Sequence, residues 1–327
     1  MLPLMRASQL LPFADHLAEA DVDPHAALTR CMCPAYRHLG KLDCIIPTSR
    51  LWEFVERGSS LLGDINFGWD VAMRFGVYGG GRFAYALEHQ PTLGDALAYY
   101  AANIPTHASV SRGALEQREG YTWFYRATTP RKGSPYFQVE QYALGTLLHI
   151  VRCYLGSDWR PQRIVLTAAA QEQVQLAISG HCEDIAFGAS RAAIEIPNSM
   201  LDQPPRPIGN AAPPAPQPPT FPCPAFDTLV AMLNYYVPEY PLTLASVSAI
   251  TQLHPKTLNR RLAAEGRTFR EVRTEVLMSR ACAEIKRGGL SMQAISDLLG
   301  YANQSAFSRA FRAAFGVSPS AYASAQQ

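Results

Sequence analysis

Two short stretches near the end of the 327-residue chain hold the side chains best suited to gripping a polyanion. One carries Lys256, Thr257, Asn259, Arg260 and Arg261; the other carries Gln304, Ser305, Ser308, Arg309 and Arg312. A guanidinium reaches O6 and N7 of guanine with two parallel hydrogen bonds, and a carboxamide does the same for adenine. Hydroxyl groups serve base edges or phosphates. Helical periodicity lets these groups act together. Leu258 and Leu262 stand at i, i+4, and Phe307, Phe311 and Phe315 at i, i+4, i+8, so each set forms an inner stripe that turns the polar residues outward.

The elements that must position them are two hairpins of helices. The first unit spans 242–265. Leu244, Val247 and Ile250 repeat along a short helix, a four-residue turn follows, and Pro255 opens the next helix where its missing N–H costs little. The second unit spans 291–315. Met292, Ile295 and Leu299 pack its first helix, Gly300 supplies a left-handed turn, and Asn303 caps the second helix. A single helix over 269–286 joins the units. In a helix-turn-helix the second helix enters the major groove by its N-terminal part. A plain helical bundle with charged outer faces accounts for one such hairpin, but poorly for two that both carry Arg and amide groups in the same place.

Charge supports the same partner. From residue 242 onward there are 11 Lys and Arg against 5 Asp and Glu, so this stretch carries +6 and the remainder −4 within a net charge of +2. A basic module attached to a mildly acidic one fits a polyanion bound at one end only. With 48% hydrophobic and 17% charged residues the chain has enough apolar material for buried cores. Its apolar runs are too short to span a membrane, and no secretory signal is evident. Seven cysteines, at 31, 33, 44, 153, 182, 223 and 282, suggest no disulfide framework, so a cytoplasmic location with reduced thiols is expected.

Ten of the 25 prolines fall in residues 203–224, an extended, semi-rigid spacer. The expected organisation is an N-terminal domain over 1–202, the linker 203–224, and a DNA-binding domain over 225–327. The first domain reads as α+β. Helices are predicted over 8–19, 24–29, 48–62 and 67–75, and another after Thr92-Leu-Gly-Asp95, a capping box with Asp in the acidic position. Two strands follow, 108–116 and 121–128, turning at Arg118-Glu-Gly120. A long core helix covers 136–155, and short strands are predicted at 164–167, 185–187 and 193–196. The expected fold class is therefore helices plus a mainly antiparallel sheet, joined to an all-α C-terminal domain.

The C-terminal module resembles the AraC family of bacterial transcription regulators. The resemblance is carried by Thr257-Leu-Asn-Arg-Arg-Leu262, Ile295-Ser-Asp-Leu-Leu-Gly-Tyr301, Ser305-Ala-Phe-Ser-Arg-Ala-Phe311, Gly316-Val-Ser-Pro319 and Tyr322. It implies two recognition helices in successive major grooves. Lys256, Asn259 and Arg260 would then read bases from the first, and Gln304, Ser305 and Arg309 from the second, with Arg261, Ser308 and Arg312 on phosphate. Gln252 stands where a turn Gly is common and His254 where a Ser cap is usual. A less regular first turn is expected, with His254 as a replacement cap. The N-terminal half resembles the arabinose-binding-type domain of such regulators through Pro91-Thr-Leu-Gly-Asp-Ala-Leu97, Trp159-Arg-Pro161, Phe187-Gly-Ala-Ser-Arg-Ala-Ala193 and Ile196-Pro-Asn-Ser-Met-Leu201. That resemblance implies dimerisation and a small effector, not a sugar in particular.

Other candidate sites are weaker. Tyr121, Trp123 and Tyr125 alternate along one strand and face one way, with Arg112 or Arg126 offered to a carboxylate; they are the candidate effector residues. Cys31-Met-Cys33, with His25, His38 and Cys44 nearby, lacks the spacing of a metal or redox pair. Gly79-Gly-Gly81 lacks the context of a phosphate loop and reads as a flexible joint. His107 reads as an ordinary helix-end histidine. No catalytic or metal constellation stands out and no cofactor is expected, so an enzyme has no support. The expectation is a regulator of transcription with double-stranded DNA, a small-molecule effector and a second copy of the chain as partners, RNA polymerase as a further one, and no membrane. A constitutive regulator whose N-terminal domain only dimerises, and a metal, haem or thiol sensor, stay open as alternatives.

Overall fold

The structure, a computed structural model, describes residues 2–41, 43–76, 82–128, 137–206, 225–237 and 239–325. The glycine joint at 79–81 and residues 207–224 of the spacer lie outside the described residues. From Pro3 onward the chain divides into two compact units, Pro3–Phe221 and Pro222–Gln327.

The first unit runs β1 (Leu4–Arg6), α1 (Leu11–Glu19), α2 (Pro24–Arg30), α3 (Tyr36–Leu39), β2 (Ile45–Pro47), α4 (Thr48–Leu62), α5 (Phe67–Phe75), α6 (Arg82–Glu88) and α7 (Leu93–Asn103). Then come β3 (Ser111–Gln117), β4 (Tyr121–Thr128), α8 (Phe137–Leu155), β5 (Arg163–Val165), α9 (Glu172–Ser179), β6 (Asp184–Ala186) and β7 (Ala192–Pro197). The five-stranded sheet has the order β3-β4-β7-β5-β6. Its neighbours are antiparallel except β5 and β6, which run parallel and are joined across α9. The predicted hairpin is present, with Gly120 at φ 81° and the Arg118 amide donating to the Tyr121 carbonyl. It starts later than expected, because a turn from Ala108 to Ser111 intervenes.

α8 is the centre of this unit. Fourteen of its residues are buried, since helices cover it on one side and β7 on the other. Two glycines let α5 and α8 approach closely. A Cβ on Gly145 would meet the Ala72 Cβ at 2.5 Å, and one on Gly68 would meet the Gln138 carbonyl oxygen at 2.0 Å. Gln138 completes the join by accepting from the Gly68 amide at 2.8 Å and donating to the Ile65 carbonyl at 2.8 Å.

Local details differ from the sequence expectations. The first helix begins with a 3-10 turn, Ala7–Leu10. At Thr92 only half of the capping box forms. Thr92 Oγ1 accepts from the Asp95 amide, but the short Asp95 carboxylate takes the Thr92 hydroxyl and not its amide. The amides of Leu93 and Gly94 instead donate to the carbonyls of Gln203 and Leu201. A complete box occurs at Thr268 and Glu271.

The second unit is helical throughout its described residues: α10 (Ala225–Leu233), α11 (Leu244–Thr251), α12 (Pro255–Ala263), α13 (Phe269–Arg287), α14 (Met292–Leu298), α15 (Gln304–Phe315) and α16 (Pro319–Ser324). α13 is the shared spine, packing against α10 and α12 towards one end and α14 and α16 towards the other. Glu265 fixes α10 by accepting from the amides of Ala225 at 2.7 Å and Phe226 at 3.1 Å. Buried Glu284 pairs with Arg280 at 2.6 Å and Arg287 at 3.1 Å within the spine.

Candidate nucleic-acid interface

The first helical hairpin is α11–α12. Thr243 caps α11 by accepting from the Ser246 amide. Gln252 takes the left-handed conformation at φ 53°, ψ 29°, and His254 caps α12 by accepting from the Lys256 amide on Nδ1 at 3.2 Å. The turn therefore has the regular left-handed geometry despite lacking glycine, at a conformational cost of about 1 kcal/mol. Leu258 and Leu262 are buried, whereas Lys256, Asn259 and Arg260 are exposed and Arg261 is half-buried. Positions 256, 259 and 260 share one face at i, i+3, i+4.

The second hairpin is α14–α15. Ser291 caps α14 through the Ala294 amide, Gly300 turns at φ 72°, and Asn303 Oδ1 accepts from the Ala306 amide at 2.8 Å. Phe307 and Phe311 are fully buried, but Phe315 is 43% exposed, so the inner stripe is two residues deep, not three. The Phe315 ring still leans on Phe311 and Tyr322, which closes the end of α15 against α16. On the opposite side Gln304, Ser305, Ser308, Arg309 and Arg312 line one shallow, open depression. None of the five enters an ion pair among the described residues. A carboxamide, two hydroxyls and two unneutralised guanidiniums thus converge on one solvent-facing strip of α15.

The five candidate effector residues do not converge. Tyr121, Trp123 and Tyr125 form a half-buried row on the outer face of the sheet, with ring centroids 6.1 and 6.2 Å apart. Arg112 lies on the same face by register, but its guanidinium donates to the carbonyls of Ser109 and Ser111. The Arg191 guanidinium covers Tyr125 at 3.9 Å and pairs with Glu116, whose carboxyl is lowered first by a hydrogen bond from Tyr125 and then by Arg118. Arg126 faces the core side instead, alternating with Phe124.

There it lines an inner pocket with Met5, Gln9, Phe83, Tyr100, Ile104, His107, Ala108, Tyr142 and Thr146. The pocket has about 440 Å³ of empty space, part of it continuous with solvent. His107 is buried, its Nδ1 has no hydrogen-bond partner, and its ring packs tilted against Phe83 with centroids 4.2 Å apart. Burial, with Arg6 adding to it, lowers its pKa from 6.5 to about 3. Of these lining residues, Arg126 is among the effector candidates and His107 reads from sequence as a helix-end histidine; the others were missed from sequence. The available signal was an Arg at the core-facing parity of an alternating strand.

Cys31, Cys33 and Cys44 are buried. Burial pushes the Cys31 thiol up to about 11 and raises the other two further, the reverse of a reactive thiolate. No described helix is long and apolar enough to cross a membrane.

Comparison with known proteins agrees with this architecture. Residues 247–325 match the family model described as a helix-turn-helix domain, and residues 22–205 match that of the arabinose-binding domain of AraC transcription regulators, N-terminal. The HTH-type transcriptional regulator VirS of Mycobacterium tuberculosis is 24% identical over 98% of this chain and 96% of its own length. The Mycobacterium bovis protein described as an uncharacterized HTH-type transcriptional regulator, Mb1430, is 41% identical over 80 residues, which span 24% of this chain and 23% of that relative. Among solved structures, the transcriptional regulator CdpR from Pseudomonas aeruginosa aligns over 97% of this chain and 98% of its own, with 18% identity and a TM-score of 0.44. The matched families are of transcription regulators and not of enzymes. With the N-terminal match covering more than half of the sequence, the chain belongs to the AraC-type transcription regulators that carry an arabinose-binding-type N-terminal domain.

Proposed function

We propose that this protein is a sequence-specific DNA-binding transcription regulator whose helices α12 and α15 read successive major grooves, under the control of a small effector held by its N-terminal unit. The observation that carries the DNA-binding reading is the strip Gln304, Ser305, Ser308, Arg309 and Arg312, exposed except for half-buried Ser308, while Phe307 and Phe311 anchor the other side of the same helix. On this reading Lys256, Asn259 and Arg260 contact bases from α12, and Gln304, Ser305 and Arg309 from α15. Arg261, Ser308 and Arg312 hold phosphates. The chain acts as a homodimer in the cytoplasm, with 1–202 as the effector and dimerisation domain and 203–224 as the linker. Two DNA-binding units on one dimer gain avidity through effective concentration.

The effector reading is supported by the N-terminal family match and by the inner pocket, where Arg126 offers a cation and His107 an unpaired nitrogen. The enclosed part of the pocket has room for roughly two waters, so a metabolite with more than a few heavy atoms must move the lining side chains.

Duplexes selected from a random pool by the full-length chain test the first part: recovery of no common sequence sinks it. Thermal melting of the chain against a panel of small carboxylates and other metabolites tests the second. A rise in Tm lost in Arg126→Ala supports control from this pocket. No response to any member leaves a constitutive regulator with a dimerising N-terminal domain.

A further inference from the structure

Glu88, His149 and Cys153 come together where α6 ends against α8. Their ligand atoms all lie within 4.8 Å of one another, and Glu88 Oε1 is 4.0 Å from His149 Nε2. In sequence only His149 and Cys153 are near each other, at the i, i+4 spacing that aligns side chains on one helical face. Glu88 arrives by folding.

The three are held from outside. The Tyr154 hydroxyl donates to the Leu87 carbonyl at 2.7 Å, lies 3.2 Å from the Gln90 carbonyl and accepts from the Gln90 amide at 3.1 Å, which pins residues 87–90 to α8. Gly76 abuts the His149 ring so closely that a Cβ there would lie 2.5 Å from it. The neighbouring cation, Arg152, spends its guanidinium on the Trp159 carbonyl and on His181.

We propose that Glu88, His149 and Cys153 form a binding site for a single divalent metal ion of the zinc class. The donor set is one carboxylate oxygen, one imidazole nitrogen and one sulfur, the mixture that zinc accepts and that magnesium or calcium does not. Ordinary zinc bond lengths set the edges of a tetrahedral site at roughly 3.3–3.6 Å. The three atoms thus need only about 1 Å of closure by side-chain rotation, with the fourth position left to water. On binding, Cys153 loses its thiol proton to solvent and the sulfur becomes a thiolate ligand.

The site also touches the route to the DNA-binding unit. The Cys153 carbonyl accepts from the Arg206 amide at 2.9 Å, and Arg206 is the last described residue at the start of the proline-rich spacer. A regulatory use of the metal rests on the effector control proposed above; the site itself does not.

The test is titration of metal-free full-length protein with zinc chloride by calorimetry, and with cobalt(II) by absorption spectroscopy. One zinc per chain is expected, with a cobalt spectrum showing tetrahedral bands and a thiolate charge-transfer band. Cys153→Ser should abolish that band, and Cys153→Ser, His149→Gln and Glu88→Gln should each weaken zinc binding roughly tenfold or more. Cys31→Ala should change neither. Circular dichroism and melting curves identify any variant that fails to fold, and three substitutions on two helices make a common folding failure readily separable from ligand loss. Zinc binding unchanged in Cys153→Ser, or lost in Cys31→Ala instead, would overturn the assignment. So would a cobalt complex of the native chain without thiolate absorption. Specific DNA binding by the metal-free protein is measured alongside: its absence counts against the proposed function and not against the metal site.

Discussion

Replacing Arg309 and Arg312 one at a time separates base reading from phosphate holding on a single helix. Both guanidiniums are exposed on the same strip of α15. With a rise of about 1.5 Å per residue, Arg309 stands about 7.5 Å and Arg312 about 12 Å along the axis from Gln304. A helix that enters the groove by its N-terminal end brings Arg309 to the base edges and leaves Arg312 beside the backbone. Neither side chain packs in the core, so Arg309→Ala and Arg312→Ala should each leave stability within about 0.5 kcal/mol of the parent. Any loss of affinity is then a loss of DNA contact. For Arg309→Ala the expected cost on the selected site is about 1–3 kcal/mol, or about 5- to 150-fold, with discrimination relaxed at one base pair. For Arg312→Ala the loss should be the same on every sequence, and the slope of log affinity against log salt should flatten by about 0.9. Fluorescence anisotropy of the full chain on the selected duplex and on its single-base variants, at several salt concentrations, reads both quantities. If Arg309→Ala weakens all duplexes equally, or Arg312→Ala leaves the salt slope untouched, the assignment of roles along α15 is wrong.

Three further outcomes concern the scaffold. Asn303→Ala removes the cap at the entry of α15 and should cost about 1 kcal/mol of stability, with Asn303→Ser retaining most of it; urea unfolding of the full chain measures both. Gly68→Ala drives a methyl into the Gln138 backbone carbonyl and should cost about 3 kcal/mol or more, because neither helix can yield without breaking the α5–α8 contact; near-native stability would mean that the helices slide freely. His107 stays neutral in the folded protein down to about pH 3, while in the unfolded chain it takes a proton below its ordinary 6.5. The unfolded state therefore binds more protons across that window, and stability falls as pH drops from 6.5 towards 3, by up to about 1.4 kcal/mol per pH unit from this group. His107→Leu should flatten that part of the stability–pH curve, and an unchanged slope would count against a buried neutral imidazole.

How much was legible in the sequence follows the range of the interactions. Periodicity exposed the helix-turn-helix units, the β3–β4 hairpin and α8, because each is specified by residues a few positions apart. The caps at Asn303 and His254 were legible for the same reason: the side chain and the amide it serves are neighbours. The strands Leu4–Arg6 and Ile45–Pro47 were not, since three residues carry no measurable alternation and their pairing spans distant parts of the chain. Nor was α9, whose presence turns β5 and β6 into a parallel pair. Phe315 continued the i, i+4 pattern but is 43% exposed, so the pattern overstated the buried stripe. The aromatic row of β4 was read correctly as one face, but parity alone did not say which face meets the core. Phe124, Ile194 and Ile164, paired across three strands, settle it and carry Arg126 inward.

The same long-range ties bear on how a signal would leave the N-terminal unit. The segment 201–206, where the spacer begins, is held by backbone hydrogen bonds to two different helices: Leu93 and Gly94 at the start of α7 donate to Gln203 and Leu201, and Arg206 donates to Cys153 near the end of α8. Each is worth about 0.5–1.5 kcal/mol net, so together they amount to about 1.5–4.5 kcal/mol. That matches the roughly 1–3 kcal/mol by which effectors commonly couple two sites. A ligand that shifts α7 or α8 by enough to break these bonds would change where the spacer is anchored without unfolding either helix, since both keep their own backbone ladders. The inner pocket touches α7 through Tyr100 and α8 through Tyr142 and Thr146, and the cluster with Glu88 takes His149 and Cys153 from α8. Both candidate sensing sites therefore bear on the elements that hold the linker's root, whereas the outer aromatic row of β4 has no hydrogen bond to it among the described residues.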